Sequence, residues 1–341
     1  MTKQVLLVDV DSTIPNIALM RLSTYWKRSG YEVTLLKLAI SIYDKPKSIA
    51  VDTQGYSAVY VSTIFKGTID NVTFANVASD TYLDIGGTGS GDISKRLPKL
   101  IEDCNCDYSI YPDCDTSVGF ISRGCIRNCA FCIVREKEGE LVQVAEPHDI
   151  IRHHKVKFLD NNFLALPNHI GLLHDLVEMQ ETRMQFNQGL DIRLVTEENA
   201  ELLSKLNYMG EYIFAFDSVS LQPIVETKLA ILKKYIPKDW RIKFFIYCHP
   251  KLSIPDDVYH RILWCKEHKV LPYFMRHQDC WQSENVRTYN DFSAWCNQPG
   301  IFKHHTYDQF CLKRRPQKDR VDVFPEWFVG LSGHKVEMHS Q

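Results

Sequence analysis

A continuous apolar run over residues 4–10 is followed within a few residues by a helical stripe, and this strand-then-helix alternation recurs almost to the end of the chain. An unbroken apolar run of this length fits a strand buried on both faces, which is the habit of parallel sheets. Parallel strands need crossovers, so the pattern confines the chain to layered α/β architectures. After the first run, Asp11, Ser12 and Thr13 offer helix caps and Pro15 suits a first helical turn. Ile17, Leu19, Met20, Leu22 and Trp26 then form an apolar stripe that stops at Gly30. Further strands are predicted over 31–36, 58–64 and 81–85, the last running into Gly-Gly-Thr-Gly-Ser-Gly at 86–91 before a helix over 92–103. Residues 1–103 thus read as a Rossmann-like, doubly wound domain.

A cysteine-bearing linker over 104–115 interrupts the pattern, which then resumes with strands near 117–122, 156–160, 184–189, 211–216, 241–247 and 270–275. Helical patterns fall between them at 170–182, 197–206, 221–235 and 256–268. The expectation for 116–299 is a six-unit (β/α)6 partial TIM barrel, with its chemistry at the carboxyl ends of the strands. The segment 300–341 is aromatic and basic, follows neither pattern, and reads as a C-terminal extension.

Charge and cysteine content narrow the function. Forty Lys and Arg nearly balance forty-two Asp and Glu, so no global field draws the chain to nucleic acid or to an anionic membrane; only a local basic groove leaves nucleic acid open as a partner. No apolar run nears the roughly 18–20 residues of a membrane span, and the acidic start does not suit a signal peptide, so a cytoplasmic location is expected. Eleven cysteines cannot all pair internally, and in that compartment metal ligation explains some of them better than disulfides do.

Three thiols stand out. Cys125, Cys129 and Cys132 form C-x3-C-x2-C directly after the first predicted barrel strand. Three thiolates in one short loop can ligate three irons of a four-iron cluster, leaving the fourth iron open to chelate another molecule. A structural zinc site would want a fourth nearby ligand, and no Cys or His lies between Cys132 and His148.

This segment resembles the cluster loop of the radical S-adenosylmethionine superfamily. The resemblance implies a 4Fe-4S cluster, S-adenosyl-L-methionine as cosubstrate, reductive cleavage to methionine and a 5'-deoxyadenosyl radical, and an electron donor of flavodoxin or ferredoxin type. Phe131, before the third cysteine, would screen the cluster near the adenine. Where superfamily members often carry Gly-Gly-Glu at the second strand, this chain has Asp160, Asn161 and Asn162, which either take that place or cap the following helix. At the third strand end, Arg193 is the preferred partner for the methionine carboxylate with Asp191 orienting it, an ordinary surface ion pair being the alternative. Asp217 and Ser218 either hold the ribose hydroxyls or cap the next helix. Tyr247, Cys248 and His249 end the fifth strand, where His249 is a proton donor, a substrate contact or simply structural. Residues 135–139, Arg-Glu-Lys-Glu-Gly, read as a solvated charge run.

The opening domain resembles the cobalamin-binding domain of one branch of that superfamily, through the turn at Ile14, Pro15 and Asn16 and the glycine turn beginning at Gly86. Residues 1–100 contain no histidine, so cobalamin, if present, would sit without a histidine ligand. The alternative is a vestigial or substrate-recognising Rossmann-like domain. Cys104, Cys106, Cys114, Cys248, Cys265, Cys280, Cys296 and Cys311 either pack as small apolar residues or supply a second cluster for sulfur insertion of the methylthiotransferase kind. The radical enzyme, with cobalamin-dependent methyl transfer as one form, therefore stands beside sulfur insertion and beside a non-enzymatic, metal-binding nucleic-acid module. No catalytic residue is assigned.

Overall fold

The computed structural model describes residues 3–43, 48–315 and 323–328. The chain divides into two compact units, 1–119 with 129–139 and 120–128 with 140–341. Both are α/β with parallel sheets.

In the first unit the strands are β1 (Gln4–Asp9), β2 (Glu32–Lys37), β3 (Ile49–Asp52), β4 (Tyr56–Ser62), β5 (Val72–Ala75), β6 (Tyr82–Gly86) and β7 (Thr116–Gly119). Four of them form a parallel sheet in the order β2-β1-β4-β6, which puts the predicted buried run of β1 inside the sheet. The period of two sends Val5 and Leu7 to one face, where they meet Leu19 and Leu22 of the helix Ile17–Arg28. Leu6, Val8 and Val10 face the other way, onto Val51 and Val72 of the parallel pair β3–β5. The second face is thus covered by a short strand pair where a doubly wound domain would carry a helix. The helix predicted over 92–103 shortens to Lys99–Glu102. Asp92 folds into a turn by accepting from the Ser94 amide and hydroxyl, and Pro98, with no N–H to give, delays the helix to the next residue.

In the second unit β8 (Ser122–Arg123) pairs antiparallel with β9 (Val142–Gln143), and five longer strands follow: β10 (Lys155–Phe158), β11 (Arg183–Phe186), β12 (Tyr212–Ala215), β13 (Ile242–Cys248) and β14 (Leu271–Arg276). β10 pairs with β11, and β12, β13 and β14 pair in order, all parallel; bridges at Met184–Tyr208 and Leu190–Phe214 carry the pattern from β11 toward β12. A helix follows each strand, at His169–Glu178, Glu197–Lys205, Gln222–Tyr235, His260–Glu267 and Val286–Cys296. Along β13 the residues Ile242, Phe244, Ile246 and Cys248 are buried, while Lys243, Phe245 and Tyr247 are half-buried. Phe244 lies edge-on to Trp264 of the following helix, so the alternate positions turn the other way.

Arg261 is fully buried in this unit. Its guanidinium donates to Asp257 Oδ1, to the Phe216 carbonyl at 2.6 Å and to the Tyr247 carbonyl at 2.9 Å, tying down the backbone just past β12 and near the end of β13. The segment read as an extension folds into the same core over its described part. Phe302, Tyr307 and Phe310 are buried, Tyr307 packs against Phe292 and Trp327, and Arg314 and Arg315 pair with buried Asp291. Residues 316–322 and 329–341 of that segment lie outside the described residues. Among the described residues no helix is long and apolar enough to cross a membrane.

Candidate active site

The residues after β10 reach sideways to the cysteine loop. Buried Asp160 accepts from the Ile121 amide (3.2 Å), the Ser122 amide (2.5 Å) and the Ser122 hydroxyl (2.7 Å). Asn161 accepts from the Gly124 amide at 3.2 Å, and Asn162 donates from Nδ2 to Cys125 Sγ at 3.4 Å. Three consecutive side chains therefore grip 121–125 in sequence. The capping alternative does not hold, because Asn162 makes no side-chain cap on the short helix Phe163–Ala165. Burial lifts the Asp160 carboxyl to about 6, and the Ser122 and Ile121 donors limit that rise, so near neutral pH it is a carboxylate clamped by three donors.

Cys125 Sγ also accepts from the Arg127 amide at 3.3 Å. Sulfur receiving two N–H donors is in the environment of a thiolate or a cluster ligand. Asn162 is 3% exposed, and its Oδ1 has no hydrogen-bond partner among the described residues. A buried acceptor left unsatisfied costs about 1–3 kcal/mol, so it marks a place where a donor is expected. Cys129 and Cys132 belong to the first unit, in a turn closed by the Cys132 amide on the Cys129 carbonyl at 2.9 Å; Phe131 between them is exposed. None of the three cysteines is in a disulfide. The Arg-Glu-Lys-Glu-Gly segment is not a free charge run: it forms the helix Val134–Glu138, and Lys137 donates to Thr88 Oγ1 at 2.5 Å.

Asp191, after β11, is buried between two arginines. It receives Arg193 Nε (2.6 Å) and Nη2 (3.0 Å) as a fork, and Arg127 Nε at 2.9 Å. Burial alone would raise its pKa; the hydrogen bonds from Arg193 and Arg127 outweigh that and hold it below the usual carboxylate range. The surface-pair alternative fails on burial, since the Asp191 side chain is 5% exposed. Asn162 Nδ2 lies 3.5 Å from the same carboxylate, joining this cluster to the cysteine loop.

Asp217 and Ser218, after β12, part company. Ser218 accepts from the Ser220 amide and caps the short helix Val219–Leu221. Asp217 has no hydrogen-bond partner among the described residues, and burial raises its carboxyl to about 6 against the pull of Arg261 and Arg193. At the next strand end Cys248 is buried and His249 half-buried. Sequence reasoning missed Arg127, Arg261, His277 and Asp279. Arg127 lies between two of the cysteines without a local signal of its own, and His277 follows β14 just as His249 follows β13, a relation that the strand register exposes.

At the carboxyl edge of the first sheet the polar groups are mutually engaged. Asp11 receives the Ile64 and Phe65 amides and the Thr63 and Thr68 hydroxyls, and Asn16 donates to Ser12 and Ser62 while capping Leu19. The glycine turn serves close backbone packing: a Cβ on Gly87 would sit 2.2 Å from the Thr63 carbonyl oxygen, and one on Gly89 would sit 2.4 Å from that of Phe65. The spare cysteines Cys104, Cys248, Cys265, Cys280, Cys296 and Cys311 are buried.

No family model matches the chain, and no curated protein matches it. The solved structure of the cobalamin-dependent S-adenosylmethionine radical enzyme OxsB with aqua-cobalamin bound is similar to it, with a TM-score of 0.45 and 13% identity, over 91% of this chain and 57% of that one. The chain spans a little over half that enzyme's length. At this TM-score and identity the likeness assigns neither cofactor nor reaction.

Proposed function

We propose that the chain is a radical S-adenosylmethionine enzyme in which Cys125, Cys129 and Cys132 hold a 4Fe-4S cluster and residues from about 116 to 299 build a partial barrel. The observation that carries the reading is the grip of Asp160, Asn161 and Asn162 on the cysteine loop, with an amide donor on Cys125 Sγ and a buried acceptor left unmatched beside it. When bound, the cluster supplies a low-potential electron and S-adenosylmethionine an abstracting carbon radical.

The chain's own residues have the following parts. The three thiolates ligate and leave one iron position open. Asn162 holds the first of them and presents Oδ1 to a donor such as the methionine amino group. Arg193 and Arg127, pinned by Asp191, supply positive charge for the methionine carboxylate. Asp217, free of hydrogen bonds among the described residues, suits the ribose hydroxyls, while Ser218 is left to helix capping; Phe131 is available to cover the cluster. The engaged polar edge of the first sheet and its lack of histidine do not fit a cobalt ligand, which favours a vestigial or substrate-recognising first domain. Sulfur insertion and nucleic-acid binding have less to rest on, because six of the spare thiols are buried and Arg314 and Arg315 are paired with Asp291.

The test is anaerobic reconstitution of the full chain, metal analysis, and assay for 5'-deoxyadenosine under a strong reductant or reduced flavodoxin. About four irons per chain and release of the nucleoside support the reading. Zinc without cleavage overturns it, and about eight irons would transfer the case to an auxiliary cluster.

A further inference from the structure

Beyond the strands β13 and β14, three side chains that the proposed chemistry does not use converge. The register pairs Tyr247 with Met275 and Cys248 with Arg276, so the next residues outward, His249 and His277, come side by side with ring centroids 4.5 Å apart. Asp279 faces both. Its Oδ2 is 3.4 Å from His249 Nε2, and its Oδ1 is 3.4 Å from His277 Nδ1. One ligating atom from each of the three lies within 4.8 Å of the others.

The separations decide between two explanations. A side-chain hydrogen bond to a carboxylate closes to about 2.7–3.0 Å, so 3.4 Å is long for either imidazole. The two contacts end on different oxygens of one carboxylate, and with one ligating atom taken from each side chain the three lie within 4.8 Å, a spread that an ion with bonds of roughly 2.0–2.1 Å can draw together. We infer that His249, His277 and Asp279 form a second metal site, for a divalent first-row ion of the zinc or iron(II) type. Two imidazoles and one carboxylate are the donor set such ions take, and three protein ligands leave a position for water or for an oxygen or nitrogen donor of a substrate. Asp279 is 53% exposed, so the site is open on that side.

Two adjustments accompany binding: at His277 the Asp279 amide, which donates to Nδ1 at 3.3 Å, gives up that bond when the ion takes Nδ1, and at His249 the ring changes tautomer. The Lys251 amide donates to His249 Nδ1 at 3.0 Å, which leaves the proton of the neutral ring on Nε2. Coordination through Nε2 moves that proton to Nδ1 and gives up the Lys251 bond, with no net proton released. The Lys251 amide is therefore a reporter of occupancy.

The test uses the full chain with Cys125→Ser, Cys129→Ser and Cys132→Ser, which removes the thiolates that would compete for the ion and makes the outcome independent of the proposed cluster. Cobalt(II) titration should give one equivalent with a visible ligand-field band of nitrogen and oxygen donors. His277→Ala and Asp279→Asn should each weaken binding by at least about tenfold, with circular dichroism unchanged. In the unaltered chain, zinc should shift the His249 and His277 ring-nitrogen resonances and the Lys251 amide. Absence of a bound equivalent, or equal affinity in the two variants, or ring nitrogens that do not respond to zinc, overturns the assignment.

Discussion

The carboxyl ends of the parallel strands in the two units carry similar residue types, bonded throughout in the first and only in part in the second. At the edge of the first sheet, Asp9, Asp11, Asn16, Ser62 and Thr63 are all buried and bonded to one another or to nearby backbone. At the corresponding ends of the second unit's strands, Asn162 keeps an unmatched acceptor, Asp217 keeps a carboxyl without hydrogen bonds among the described residues, and Asp279 stands off two imidazoles at 3.4 Å. Parallel topology collects polar groups at strand ends in both cases. Burial with full satisfaction stabilises an edge; burial without it costs free energy and marks where ligands belong.

Four substitutions probe that difference, beginning with the largest expected effect. Arg261→Ala should destabilise the second unit by about 3–5 kcal/mol in denaturant titration, since it leaves Asp257 and two backbone carbonyls buried without their cation. On the closed edge, Asn16→Ala should cost about 2–3 kcal/mol, removing a helix cap together with two buried hydrogen bonds. Asp217→Asn should act in the opposite sense. Because its folded carboxyl is raised to about 6 by burial, that group stabilises the fold below about pH 4 and the contribution is lost as pH rises through about 6. The variant should flatten the pH 4–6 slope of stability and gain about 2 kcal/mol at pH 7 while losing nucleoside release. Asn162→Ala should cost under about 1 kcal/mol, because it removes an unsatisfied acceptor along with two long Nδ2 contacts, to the Cys125 sulfur and to Asp191, yet should impair cluster retention. If Asn162 proved as costly to remove as Asn16, the contrast between the two edges would fail.

Much of the architecture is legible from periodicity alone. The apolar run Val5–Val8 of β1 and the alternation along β13 each report how many faces of the strand are buried, so α/β layering and the order of elements follow. What was not legible depends on tertiary partners. Nothing local distinguishes Asp160 as a clamp on Ser122 from Asp160 as a helix cap, since the two are 38 positions apart and the chain between them must fold before they meet. The Asp191–Arg193 pair was readable because its members are two residues apart; Arg127, which completes it, is 64 residues away. The glycine turn also depends on distant partners, as Gly87 and Gly89 answer to the backbone at Thr63 and Phe65. Ser218 and Asp217 show the limit at its finest, adjacent residues of which one serves the fold and the other remains available.

The most direct test of the account is electron paramagnetic resonance on the reduced, anaerobically reconstituted chain, recorded before and after adding S-adenosylmethionine. An open iron held by only three cysteines predicts that the cluster signal changes on addition, and that replacing any one of Cys125, Cys129 and Cys132 abolishes it. A signal that is identical with and without S-adenosylmethionine, or one that survives loss of any of the three thiols, would contradict the assignment.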